Sequence, residues 1–172
     1  MPFTPLHMGP GLVIKAVLQR HFSLMVFGWA QILIDLQPLW VLVTGHGTLH
    51  GFTHTYFWAT WLGLLAALSG KYLGEFGLYL LRLPGGYRPI RWPVAFISAY
   101  IGVYSHVFLD GTIYGDMYPF APFNTTHHGH FYDAISMDGM AILCLASAVI
   151  GGSAYLSIVW LRGRRLGKFT LE

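Results

Sequence analysis

Four ionisable side chains stand inside stretches that are apolar enough to cross a bilayer: Asp35, His54, His106 and Asp110. Placing an ionisable group in hydrocarbon is costly, so such groups usually belong to a functional site. Mixed imidazole and carboxylate ligands suit Zn²⁺, Mn²⁺ or Fe²⁺ better than Mg²⁺ or Ca²⁺, which prefer oxygen ligands. These residue types therefore predict a metal site within the membrane.

The spacing of two of these residues supports the same interpretation. His106 and Asp110 are four positions apart, so a helix places both side chains on one face. His50 and His54 have the same spacing, although the glycines around them argue against a continuous helix there. A buried His–Asp pair between helices can also be purely structural, and this alternative remains open for His106 and Asp110.

The elements that must position these residues are predicted to be membrane helices. The chain is 55% hydrophobic and 10% charged, whereas a soluble domain is about 25% charged. We expect one all-α, polytopic membrane domain over residues 1–172, with a shorter N-terminal helix that forms a hairpin arm. The predicted full spans are residues 22–43, 54–69, 94–113 and 134–160, with the short helix at 8–20 and an interfacial helix at 71–83.

The basic residues predict the orientation of this domain. With four spans, all ten Lys and Arg fall on one side, which the positive-inside rule makes cytoplasmic. We therefore expect an inner-membrane protein with a cytoplasmic basic tail at 161–172 and no cleavable signal peptide. The formal charge of +3 does not indicate nucleic acid, because the basic residues lie at helix ends rather than in one patch. The expected partners are membrane lipids and, as an alternative, other membrane-protein subunits.

Helical rise places several of these side chains at one depth. Counted from the basic side at about 1.5 Å per residue, Asp35 lies about 20 Å up and His106 about 18 Å, with Asp110 one turn higher. His54 begins the second span and lies about 23 Å above the basic-side end of that span. If the N-terminal helix runs away from the basic side starting at Arg20, His7 lies about 20 Å above that side. The predicted metal ligands are therefore these five residues, although His7 has an equal claim as a helix cap.

Further polar residues are expected near the mouth of this site. His50 and Asp116 are predicted to move protons there, although an Asp beside Gly115 is also common in turns for backbone reasons. The polar loop at 115–133 carries His127, His128 and His130, for which solvation, substrate contact and metal entry are all open. The single Cys144 lies in an apolar run, which excludes an internal disulfide and a cysteine-based metal site.

Four segments, which together span roughly residues 1–122, carry a family resemblance: MPFTPLHMGPG with His7, LIDLQP with Asp35, GFTHT with His54, and SHVFLDGTIYGDMYPFAPF with His106 and Asp110. This pattern resembles the membrane-bound metal-dependent hydrolases that are described as LexA-binding and inner-membrane-associated. The resemblance implies hydrolysis with one or two divalent ions, zinc first and manganese or iron as alternatives. The ligand order is also similar to that of the all-helical zinc phospholipase C type, which favours a phosphoester in a lipid or lipid-linked substrate, attacked by a metal-bound water.

The chain departs from that family at two positions. Gln37 stands where the family often has a second acid, which removes one charge from a two-metal site. His50 stands where an Arg often precedes the GFTH motif, and as an extra ligand or acid–base group it would compensate. The last span and the basic tail lie outside the resemblance.

Three other functions remain open. The protein could be an accessory or structural subunit of a larger membrane complex, with a structural metal site; a closed ligand shell would favour this, and a water-bearing cavity would favour the enzyme. A haem protein that uses His pairs would need neither Asp35 nor Asp110. A metal transporter is a weaker alternative, because four spans leave little room for alternating access.

Overall fold

A computed structural model of the protein describes residues 4–82, 88–125 and 134–165. Within these ranges the chain is helical and contains no β-strand, so the prediction of an all-α protein is confirmed. Two short 3₁₀ turns lie at Gln19–His21 and Phe52–His54. The α-helices are α1 at Thr4–Leu18, α2 at Leu24–Thr44, α3 at Tyr56–Leu80, α4 at Trp92–Gly111 and α5 at Met137–Arg165.

Three of the described helices, α2, α4 and α5, are long and apolar enough to cross a membrane. The prediction of four full spans is therefore wrong in number. The expected second span and the expected interfacial helix at 71–83 are one continuous helix, α3, which has 25 residues. Its second half carries Lys71 and Glu75, whose side chains pair at 2.6 Å, and these polar residues lower its mean hydropathy. The 15 residues of α1 span only about 22 Å, less than the bilayer core of about 30 Å.

The ends of these helices follow local capping chemistry. Ser23 precedes α2 and its hydroxyl accepts a hydrogen bond from the amide of Val26, while Gly45 ends the helix with a left-handed φ of 70°. Thr55 caps α3 in the same way by accepting from the amide of Trp58. A proline in the first turn of α4 is placed where its missing N–H costs nothing.

The helices pack in two groups that meet along α2. The helices α2, α3 and α4 surround the apolar core, and α1 turns back on α2 but packs mainly along α5. Gly102 allows α4 to approach α2 closely, since a Cβ there would lie 2.8 Å from the Cβ of Ala30. Gly9 does the same for α1, because a Cβ would overlap the carbonyl oxygen of Cys144. The predicted N-terminal arm is thus held against the last helix.

The basic residues of the described chain lie at or near one end of the bundle, where α1, α3 and α5 end and α4 begins. Of these residues, Lys71 lies furthest from the end of its helix. Its ammonium is nevertheless 5.3 Å from the ring centre of Trp92, the first residue of α4. Lys168 lies outside the described residues. The described basic residues are Lys15, Arg20, Lys71, Arg82, Arg88, Arg91, Arg162, Arg164 and Arg165.

Candidate metal centre

Four of the predicted ligands meet away from the basic end of the bundle. Asp35 comes from α2, His106 and Asp110 come from α4, and His54 comes from the 3₁₀ turn that precedes α3. One ligand atom from each residue lies within 4.8 Å of all the others. The side chains of His54, His106 and Asp110 are at most 1% exposed, whereas that of Asp35 is 19% exposed. The group is therefore buried and opens on the Asp35 side.

The distances within this group suit a shared cation. His106 Nε2 lies 3.2 Å from both Asp35 Oδ1 and Asp110 Oδ2. His54 Nε2 lies 3.7 Å and 3.6 Å from the same two oxygens. Ligand atoms about 2.0–2.2 Å from a tetrahedral zinc lie about 3.3–3.6 Å apart, whereas a direct N⁺–H···O⁻ hydrogen bond is about 2.7–2.9 Å. The separations thus fit an ion between the side chains better than direct ion pairs.

The orientation of His106 is set by Gln31 on α2. Gln31 Nε2 donates to the carbonyl of Gly102 at 3.3 Å, which turns Gln31 Oε1 toward the imidazole. His106 Nδ1 lies 2.5 Å from that oxygen and must donate to it, because an amide oxygen only accepts. In the neutral ring, Nε2 then carries a lone pair that points at the carboxylates.

His54 is oriented in the same sense by Thr53. The Thr53 hydroxyl donates to Gln37 Oε1 at 3.1 Å and therefore accepts from His54 Nδ1, which is 3.0 Å away. In the described part of the chain, His54 Nε2, His106 Nε2 and both carboxylate oxygens of Asp110 are buried without a hydrogen-bond partner. Two lone pairs thus face two carboxylates in a largely buried group, an arrangement that a divalent cation neutralises.

Gln37 has a positioning role that the sequence does not reveal. Its Oε1 accepts from the amide of Gly51 at 3.1 Å, and its Nε2 donates to the carbonyl of Thr48 at 2.5 Å. A carboxylate at this position would accept the first bond but could not donate the second. Gln37 therefore secures the loop that carries His54.

His7 lies beside the group but is not part of it. Its side chain is 1% exposed, and its Nε2 lies 3.4 Å from Asp110 Oδ1. Its ring centre is 4.8 Å from that of His106. Asp110 therefore faces His7 with one oxygen and His54 and His106 with the other. His7 is placed where it can hold this carboxylate or contribute to a second ion.

His50 and Asp116 form a hydrogen-bonded pair next to these residues. His50 Nδ1 lies 2.8 Å and 3.0 Å from the two oxygens of Asp116, and it donates because a carboxylate only accepts. The His50 ring meets the His54 ring edge-on, with 5.2 Å between their centres. The side chain of Asp116 is 55% exposed and that of His50 only 6%. The pair thus extends from the buried group to the surface.

The sequence reasoning missed Tyr114. Its ring stacks on that of His50, with 4.1 Å between centres, and its hydroxyl is buried without a partner among the described residues. Burial, together with the charges of Asp110 and Asp116, raises the pKa of the Tyr114 phenol well above its usual range, so the hydroxyl stays a donor. The sequence feature that could have pointed to Tyr114 is its position four residues after Asp110. In the structure the backbone carbonyl of Asp110 accepts a hydrogen bond from the Tyr114 amide at 2.9 Å.

The expectations for His127, His128 and His130 lie outside the described residues. No family model, curated protein or solved structure matches this chain.

Proposed function

We propose that this protein is a metal-dependent hydrolase of the cytoplasmic membrane that acts on a lipid or lipid-linked ester, with a phosphoester favoured. The observation that carries this proposal is the inward-facing Nε2 atoms of His54 and His106 opposite two carboxylates. Zinc is the preferred ion for such a His and carboxylate set, with manganese or iron as alternatives. When bound, such an ion activates water for attack on an ester and polarises the ester oxygen.

The surrounding residues have separable roles in this proposal. Asp35, His54, His106 and Asp110 hold the ion, and the partial exposure of Asp35 marks the side from which water and substrate enter. His50 takes up or delivers a proton, and Asp116 holds its ring and connects it to the surface. A second ion would use His7 and the outer oxygen of Asp110.

The placement of the site supports a substrate from the membrane. Asp35 lies on α2, and His106 and Asp110 lie on α4, which are both helices that can cross a bilayer. Along α4, His106 is about 18 Å from the basic end of the bundle. With that end cytoplasmic, as the positive-inside rule requires, the site faces the outer leaflet. The family resemblance and the Tyr114 hydroxyl, a donor for a developing oxyanion, favour ester chemistry.

One observation favours a second candidate, an accessory subunit with a structural metal. Four protein ligands are enough to close a tetrahedral zinc shell, whereas catalytic zinc sites usually have three protein ligands and one open position. The exposure of Asp35 and the neighbouring His50–Asp116 pair favour the enzyme instead. The two candidates differ in whether solvent reaches the ion.

Metal content of the purified full-length protein tests the metal centre. We expect about one or two zinc, manganese or iron ions per chain by elemental mass spectrometry. The variants His106→Asn and Asp110→Asn, of which the second is isosteric, should lose this metal. His46→Asn is the matched control, since His46 is an exposed loop histidine. A wild-type protein with native helix content and no stoichiometric metal would overturn both candidates.

Product analysis then separates the enzyme from the accessory subunit. The metal-loaded protein in mixed micelles is incubated with phospholipids, and released headgroups and acyl chains are measured by mass spectrometry in ¹⁸O-labelled water. Release of one product that carries the label, lost on metal removal and restored by zinc, supports the hydrolase. Stoichiometric metal without release of any ester product supports the structural metal.

A further inference from the structure

A second site lies at the basic end of the bundle, away from the metal centre. A cavity of about 700 Å³ is lined by the end of α1, the turn into α2, the start of α4 and the end of α5. Val94 lines this cavity, and His106 lies twelve residues further along the same helix, about 18 Å away. The two sites are therefore separate.

The rim of this cavity carries positive charge from three elements. Arg20 comes from the turn after α1, Arg91 precedes α4 and Arg162 comes from α5. No acidic residue lines the cavity in the described part of the chain. Glu75 is engaged elsewhere, because its carboxylate accepts from Lys71 at 2.6 Å and from the backbone amide of Ile90 at 2.9 Å. The cationic rim is thus complementary to an anion.

The wall of the cavity is apolar. Phe22, Met25, Leu78, Val94 and Val159 contribute to it, and the side chain of Val159 reaches the outside of the bundle. A small inorganic anion would use the rim and leave this wall without a partner. A ligand that joins an anionic group to apolar chain would use both surfaces.

We propose that this cavity binds the phosphate headgroup of an anionic phospholipid from the leaflet at the basic end of the bundle. The planar guanidinium groups of Arg20, Arg91 and Arg162 match phosphate oxygens in pairs. The apolar wall receives the glycerol and the first part of the acyl chains. The volume lies within the range of ligand sites, about 300–1,000 Å³. This site does not depend on the proposed hydrolase activity.

Binding to the full-length, delipidated protein in detergent tests this assignment. The probes are short-chain phosphatidylglycerol, phosphatidylcholine of the same chain length, and inorganic phosphate. We expect a 1:1 phosphatidylglycerol adduct by native mass spectrometry and a higher thermal midpoint, with neither effect from the other two probes. Equal binding of phosphatidylcholine, or binding of inorganic phosphate as tight as that of the lipid, would overturn the proposal.

Matched charge variants identify the residues. The Arg20→Gln/Arg91→Gln variant should bind phosphatidylglycerol at least tenfold more weakly than the wild type. Arg164→Gln/Arg165→Gln removes the same charge from residues that do not line the cavity, and it should bind normally. Arg20→Gln and Arg91→Gln alone repeat the comparison with a smaller change. An equal loss of phosphatidylglycerol affinity in the cavity variants and the control would show that only the net charge matters. That result would contradict a specific site in the cavity.

Discussion

Gln31 on α2 accepts a hydrogen bond from Nδ1 of His106 on α4, across the interface that Gly102 keeps close. This bond turns Nε2 of His106 toward Asp35 and Asp110. A partner of this kind on the far nitrogen fixes the ring and its tautomer and raises its basicity as a ligand. Gln31 therefore orients a residue of the candidate metal centre without being a candidate ligand itself.

Replacing Gln31 should weaken metal binding without removing a ligand. We expect Gln31→Ala to lower zinc affinity by about 10- to 100-fold, because His106 loses its orienting acceptor. Competition with a chromogenic chelator measures the change. Gln19→Ala at the basic end is the control and should keep the wild-type affinity. Wild-type affinity in Gln31→Ala would show that packing alone orients the His106 ring.

Asp116→Asn should separate hydrolysis from metal binding. The asparagine cannot hold the His50 proton on Nδ1 as a carboxylate does, so proton transfer suffers while the metal ligands stay in place. We expect unchanged metal content and a turnover lower by about 10²- to 10⁴-fold. Asp138→Asn, an exposed acid in the first turn of α5, is the control. A turnover equal to that of the wild type would exclude the His50–Asp116 pair from proton transfer.

Tyr114→Phe should lower turnover and leave substrate affinity nearly unchanged. The phenylalanine keeps the stack on His50 and loses the buried donor. If this hydroxyl stabilises charge that develops on the ester oxygen, kcat falls by about 100-fold and KM stays within about twofold. Steady-state kinetics checks this, with Tyr79→Phe, an exposed tyrosine near the end of α3, as the control. A rise in KM alone would assign Tyr114 to substrate binding.

A methyl group at Gly102 should disturb both the fold and the site. In Gly102→Ala the new Cβ would lie 2.8 Å from the Cβ of Ala30 and 3.0 Å from the carbonyl oxygen of Phe27, so α2 and α4 must separate. We expect a loss of about 1–3 kcal/mol in the free energy of unfolding, accompanied by weaker metal binding.

The matched control for this change is Gly152→Ala on α5, where a Cβ meets nothing within 4 Å. It should be neutral or stabilising by about 0.5–1 kcal/mol, because alanine favours the helix. Thermal unfolding in detergent compares the two variants. Equal stability of both would show that the α2–α4 contact tolerates a larger separation.

The family resemblance and the structure explain Gln37 differently. The resemblance implies that Gln37 stands in place of an acid and removes one charge from a two-metal site. In the structure its amide holds Thr48, Gly51 and Thr53, and so it positions the turn that ends at His54. No periodicity or spacing signals such a contact, since Gln37 lies eleven or more positions from the loop residues that it binds.

The sequence by itself determined the helical class and the depth of the polar residues. Apolar length requires helices in a bilayer, and the constant helical rise places Asp35 and His106 in one layer. His54 was expected to begin a span, but it lies in the 3₁₀ turn before α3, so its depth does not follow from helical rise. The i,i+4 relation of His106 and Asp110 is likewise local geometry. The number of helices apolar enough to span is overestimated from the sequence, because α3 continues through the polar pair Lys71–Glu75, which lowers its mean hydropathy.

Only the tertiary structure decided which side chains face one another. The rotation of each helix about its axis follows from packing, such as the contact of Gly102 with α2, and this rotation turns Asp35 and His106 toward a common centre. The non-helical segments carry His54, His50 and Asp116, and their positions depend on hydrogen bonds across the fold. The height of a residue along its helix follows from local backbone geometry. Which side chains of neighbouring helices face one another follows from how the helices pack.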